Sequence, residues 1–148
     1  MVLGWIRIAL VWRARCHSFS FCDTSSNCAL YCGAKIDFVD IDKNTRNISL
    51  ELLEEKLILS KKQNKLPKVI IPVHFSGNPV NMEKFSNIVK KFGRIKIIED
   101  ASHALGAKSL GKSVGCSKFS DFTVFSFHPV KMITTAEGGM ITTNDSSL

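Results

Sequence analysis

DFTVFSFHPVKMITTAEGGMITT, residues 121–143, is the stretch on which the reading of this chain turns. Residues 122–127 form a β-branched and aromatic run of strand type, and residues 138–143 read as the start of another strand. The turn between them holds Ser126, His128, Pro129 and Lys131, polar groups crowded into a connection that would otherwise be bland. Connections between rigid strands are where chemistry tends to be placed. A lysine held there among apolar neighbours loses part of its hydration, and desolvation favours the neutral amine, which is a nucleophile. Alone, Lys131 is one cation among 20 lysines and arginines, and a solvated lysine is the plainer reading. The segments before it reverse that preference.

Working outward, residues 95–99 read as a strand ended by Asp100. Before it, Asn81 can cap a helix over residues 82–92 with Met82, Phe85, Ile88 and Phe92 as its inner stripe and Gly93 as its stop. Residues 69–74 form a short apolar run of buried-strand type, followed by a loop with Gly77, Asn78 and Pro79. Residues 50–62 place Leu50, Leu53 and Leu57 on one helical face, with Glu51, Glu54 and Glu55 early and Lys61 and Lys62 late, which complements the helix dipole. Residues 36–41, IDFVDI, alternate as a half-buried strand, and NCALYCG suits a short helix capped by Asn27 and stopped by Gly33. Strand and helix in alternation predict an α/β fold in three layers, with a mainly parallel central sheet covered by helices. In such sheets ligands bind beyond the carboxyl ends of the strands, where Asp100 falls. Residues 1–20 have no clean period and stay unassigned.

The composition, 45% hydrophobic and 22% charged over 148 residues, suits one globular core. A net charge of +7 invites a nucleic-acid reading. Yet Lys61, Lys62, Lys65, Lys68, Lys84, Lys90, Lys91, Arg94 and Lys96 fall mostly at helix ends and in loops, without interleaved aromatics, as a solvated face does. Cys16, Cys22, Cys28, Cys32 and Cys116 include no C-x-x-C pair, so neither a disulfide framework nor a metal site is indicated, and a reducing cytoplasm is the expected compartment. The apolar start, residues 1–12, is broken by Arg7 and too short to span a bilayer, so no membrane association is expected.

Asp100 follows the apolar Ile97 and Ile98, so its carboxylate is partly desolvated and needs a cationic partner. The plainer alternative is a local cap with Ser102. Across one further strand comes Lys131. A pyridoxal phosphate enzyme needs a lysine for covalent attachment of the cofactor, a carboxylate to keep the pyridine nitrogen protonated, and donors for the phosphate. Lys131, Asp100 and Ser126 can fill those three roles.

These residues lie in words that resemble a known family. IIEDASHALGA (residues 97–107), GKSVG (residues 111–115) and VFSFHPVKMITTAEGGMITT (residues 124–143) are similar to signature blocks of the DegT/DnrJ nucleotide-sugar aminotransferases, fold type I pyridoxal phosphate enzymes. GAKIDFVDIDKNTRNIS (residues 33–49) and IPVHFSGNPVNME (residues 71–83) resemble two further blocks. The resemblance implies that residues 21–148 are a partial cofactor-binding large domain. It implies Lys131 as the attachment point and proton shuttle, Asp100 against the pyridinium nitrogen, His103 near the ring or its phenolic oxygen, and Ser126 on the phosphate. Within the family, SHALGA and the lysine block are most similar to members that aminate a UDP-linked 4-keto-6-deoxy-N-acetyl-altrosamine on the route to pseudaminic acid. The implied partners are that ketosugar, glutamate with 2-oxoglutarate as its product, and a second copy in a homodimer. Lysine at position 131 also implies transamination, because sugar dehydratase relatives carry histidine there.

The likeness breaks in two places. MVLGWIRIALVWRARCHSFSF does not resemble the family where its sheet should begin, and no counterpart of the small C-terminal domain follows. SFSFCDTSSNCALYCGA resembles the segment whose aromatic residue covers the cofactor ring, but no residue is assigned to that job. The expectation is therefore a fragment with little or no activity by itself. The rival expectation is a basic, non-catalytic α/β module that binds a nucleotide or nucleic acid.

Overall fold

A computed structural model describes residues 7–11 and 23–147. In chain order the elements are β1 (Arg7–Val11), α1 (Asp23–Tyr31), β2 (Lys35–Val39), α2 (Leu50–Lys62), β3 (Val69–Ile71), α3 (Met82–Lys90), β4 (Lys96–Asp100), β5 (Lys108–Ser109), β6 (Lys112–Ser113), β7 (Phe122–Ser126) and β8 (Gly139–Thr142). Six strands form one sheet in the order β2-β1-β3-β4-β7-β8, and β5 and β6 make a small antiparallel hairpin. Every neighbouring pair in the large sheet is parallel except β7 with β8. The α/β fold expected from the alternation of elements is the fold observed.

Alternation along the strands builds the layers. On β3, Ile70 joins the cluster of Leu53, Leu57, Phe85 and Val89 under α2 and α3, while Val69 and Ile71 join Ala29 and Ala34 around α1. One helix therefore covers one face and two cover the other. Phe85, Leu53 and Leu57 are almost fully buried, and each such side chain contributes roughly 1.5–3 kcal/mol of hydrophobic stabilisation. The helices start where side chains satisfy their open N–H groups. Ser49 accepts from the N–H of Leu52 at α2, and Asn81 accepts from that of Lys84 at α3.

Two expectations change. The helix read as beginning at Asn27 begins at Asp23, leaving Asn27 exposed in its middle. Serine suits the first turn of a helix, and Ser25 and Ser26 occupy it here, so the start need not wait for Asn27. Its end is as expected: Gly33 has φ +69, and Ala34 N–H reaches Ala29 O at 3.0 Å while Gly33 N–H reaches Leu30 O at 2.8 Å, the paired closure that a left-handed residue allows. In the unassigned first 20 residues, Arg7–Val11 is a strand inside the sheet, between β2 and β3. A run of apolar residues without turn signals on either side gives little by which to place such a strand.

Candidate functional site

The carboxyl ends of β4 and β7 meet the connections that follow them. Asp100 closes β4, its backbone N–H bonded to Pro72 O at 2.9 Å and its carbonyl accepting from His74 N–H at 3.0 Å. Its carboxylate faces the α1 side of the sheet. Oδ2 accepts from the Ser25 hydroxyl of α1 at 2.6 Å, and Oδ1 accepts from the Ser102 N–H at 3.0 Å. The second contact is the local cap that the sequence allowed, here an Asx turn without a helix after it. Asp100 pairs with Val124 in register, so Ser126, two residues further along β7, lies on the same face.

After β4 the chain turns through Ala101 and Ala104, both fully buried, which holds His103 at the rim half-buried. Gly77 packs against this turn. A Cβ there would lie 2.9 Å from the His103 carbonyl oxygen, and its φ of +78 suits only glycine.

Residues 127–138 connect β7 to β8 and carry Lys131. The connection is pinned at its base, where Phe127 N–H donates to Gly138 O and Thr135 N–H donates to Phe127 O, and it turns where Lys131 N–H donates to His128 O. The apolar neighbours Val130, Met132 and Ile133 face solvent, so they do not enclose the lysine as the sequence reading expected. Its amine instead turns inward, 3.1 Å from His103 Nε2. An ammonium has only donors, so His103 Nε2 is the acceptor in that pair. Burial, then the positive charge of Lys131, holds His103 below the ordinary histidine range, and the carboxylate of Asp100 opposes both. Asp100, His103 and Lys131 thus share one rim. Ser126 Oγ accepts from the His128 N–H at 3.4 Å.

Behind the rim, on the face under α3, lies a buried polar network that the sequence reading did not find. His74 Nε2 is 2.8 Å from Glu99 Oε2, and His74 Nδ1 accepts from the Val80 N–H at 3.1 Å. Nδ1 being an acceptor, Nε2 carries the proton given to Glu99. Glu99 Oε1 accepts from the hydroxyls of Ser120 and Thr123. This network ties β4 and β7 to the segment after β3, on the side opposite Asp100. The adjacent pair Glu99 and Asp100 was the available signal, since neighbouring strand residues face opposite ways and one of the two had to point into the core.

Residues 16–148 match the model of the DegT/DnrJ/EryC1/StrS aminotransferase family. Over 124 residues the chain is 45% identical to the UDP-4-amino-4,6-dideoxy-N-acetyl-beta-L-altrosamine transaminase of Campylobacter jejuni, an alignment covering 84% of this chain and 31% of that protein. The fold is similar to that of Helicobacter pylori PseC, an aminotransferase involved in the biosynthesis of pseudoaminic acid, with a TM-score of 0.79 and 35% identity over 99% of this chain and 35% of that one. It is also similar to the PLP form of Spr1654 from Streptococcus pneumoniae, with a TM-score of 0.76 and 31% identity over 96% of this chain and 36% of that one. The chain spans about a third of the length of the curated relatives it matches. Matched in sequence from residue 16 onward and in fold over almost its whole length, this chain belongs to the DegT/DnrJ/EryC1/StrS aminotransferase family.

Proposed function

We propose that this chain holds pyridoxal phosphate through Asp100, His103, Ser126 and Lys131, as part of an aminotransferase acting on a UDP-linked 4-keto-6-deoxy amino sugar with glutamate as donor. The observation that carries the reading is the Lys131 amine 3.1 Å from His103 Nε2, with the charge of Asp100 acting on the same imidazole. An amine and a carboxylate distant in sequence are thereby brought to one rim.

The donor set fits the group. Each oxygen of Asp100 accepts one hydrogen bond, and a carboxylate has about four lone-pair sites, so capacity remains for a protonated ring nitrogen. Lys131 offers the amine for covalent attachment. Ser126 accepts from His128 N–H, which leaves its own proton for a phosphate oxygen. When bound, pyridoxal phosphate supplies an aldehyde that receives and returns an amino group and a ring that accepts an electron pair. The protein's part is positional and acid–base. Asp100 holds its negative charge beside the ring nitrogen. His103, favoured neutral by burial and by Lys131, donates or accepts at the ring without adding a positive charge. Lys131 Nζ, once displaced from its covalent link, would be the base that takes the proton from the donor's α-carbon and delivers it to the aldehyde-derived carbon of the cofactor, and would run the reverse transfer when the ketosugar is aminated. Two features support the sugar nucleotide as acceptor: the likeness to the Campylobacter transaminase, and a net charge of +7 that draws a diphosphate toward the protein.

Incubation with pyridoxal phosphate followed by borohydride reduction and peptide mass mapping tests the assignment. The label is expected on Lys131, is lost in Lys131→Ala, and falls when glutamate is added before the reductant. A label that persists in Lys131→Ala refutes the reading.

A further inference from the structure

We propose that Ser25 is a positioning residue for Asp100, its hydroxyl fixing the plane of the carboxylate and so setting how tightly the chain retains pyridoxal phosphate. The inference rests on the cofactor role proposed for Asp100.

Ser25 and Asp100 are 75 residues apart in sequence and meet at 2.6 Å. That separation is within the short range of an O–H···O⁻ bond to an ionised acceptor. Serine in the first turn of a helix ordinarily bonds to backbone nearby. Here the hydroxyl leaves its own helix and reaches the end of β4 on the sheet below. α1 is held in place for this by Ala29, buried with Ala34 and Ile71, so the donor comes from a packed element.

The geometry matters because of how aspartate moves. Its χ2 is a broad, roughly two-fold torsion, so one hydrogen bond leaves the carboxylate plane poorly defined. Asp100 has a donor on each oxygen, the Ser102 N–H on Oδ1 and the Ser25 hydroxyl on Oδ2. The first comes from its own turn and the second from a separate element, and together they fix both position and twist. Without Ser25 the charge stays and its aim is lost. A ring nitrogen then meets a carboxylate that must be ordered on binding, which weakens retention.

The test compares Ser25→Thr with Ser25→Val in the whole chain, since the two replacements share a shape and differ in the hydroxyl. Pyridoxal phosphate is titrated by absorbance, with thermal unfolding as the control for folding. Ser25→Thr is expected to stay within about twofold of the parent, and Ser25→Val to bind about tenfold more weakly at an unchanged unfolding temperature. In an Asp100→Ala background the difference between threonine and valine is expected to vanish. Equal losses in the two variants, a Ser25→Val chain that binds as the parent does, or a difference that survives Asp100→Ala would overturn the inference. Borohydride labelling of the parent separates the two readings: a parent not labelled on Lys131 removes the cofactor reading and this one with it, whereas a labelled parent with an unaffected Ser25→Val removes only the role of Ser25.

Discussion

His103 is the residue whose titration reports the site. Burial and the Lys131 charge lower it from the ordinary 6.5, and Asp100 pushes it up. Lys131→Ala is therefore expected to raise the midpoint seen for this imidazole by NMR, and Asp100→Ala to lower it; midpoints unmoved by both would contradict the geometry. Between the folded and unfolded midpoints the unfolded chain binds the proton more readily. The stability from neutral His103 is therefore full above about pH 6.5 and declines as the pH falls below it. Glu99 gives the second prediction at this scale. Removing Glu99 leaves the buried His74 Nε2–H without its acceptor, so Glu99→Ala is expected to cost roughly 1–3 kcal/mol in urea unfolding; a loss under about 0.5 kcal/mol would mean that His74 needs no such partner. The placement of Asp100 at the end of β4 and of Lys131 in the connection after β7 was legible in the sequence, because the apolar runs before each mark the strands and so the points where they end. The contacts of Ser25 and of His74 with Glu99 were not, because hydrophobic periodicity reports which face a residue takes and not which distant side chain it meets.

Among the elements, α2 was legible to the residue, since leucine spacing and charges graded along the dipole agree, and the structure adds the cap by Ser49. α3, β4, β7 and β8 agreed to within about two residues, the usual uncertainty of element ends. β1 was not legible, because a central strand is identified by its neighbours and its own residues carried no alternation. The loop after β3 shows how one element positions another. Ser76 has φ 51 and Gly77 φ 78, and Gly77 leaves no room for a Cβ against the His103 carbonyl. Gly77→Ala is expected to cost about 1–3 kcal/mol and to shift the His103 ring resonances; thermal unfolding and NMR spectra matching the parent would show that the two turns are independent.

At the scale of the molecule the two borders of the sheet differ. β2 carries exposed Lys35 and Asp37, with Lys56 of α2 paired to the latter, a charged border that discourages strand addition. β8 pairs only with β7 among the described residues and exposes Met140 and Ile141, with Val130, Met132 and Ile133 also facing solvent. Ile141→Lys is therefore expected to reduce self-association measured by light scattering without lowering the unfolding temperature, and unchanged scattering would locate the sticky surface elsewhere. No helix among the described residues is long and apolar enough to cross a membrane. The reversal of direction at β8 has a further consequence for Lys131. Because the strand returns beside β7, the segment bearing the lysine is moored at both ends, and its backbone bonds close the base of the loop. A short tether of this kind confines its cargo to a small volume, equivalent to a local reagent on the order of millimolar or more. In the reaction proposed for it, the amine would thus be supplied by connectivity, at a strength independent of how dilute the protein is.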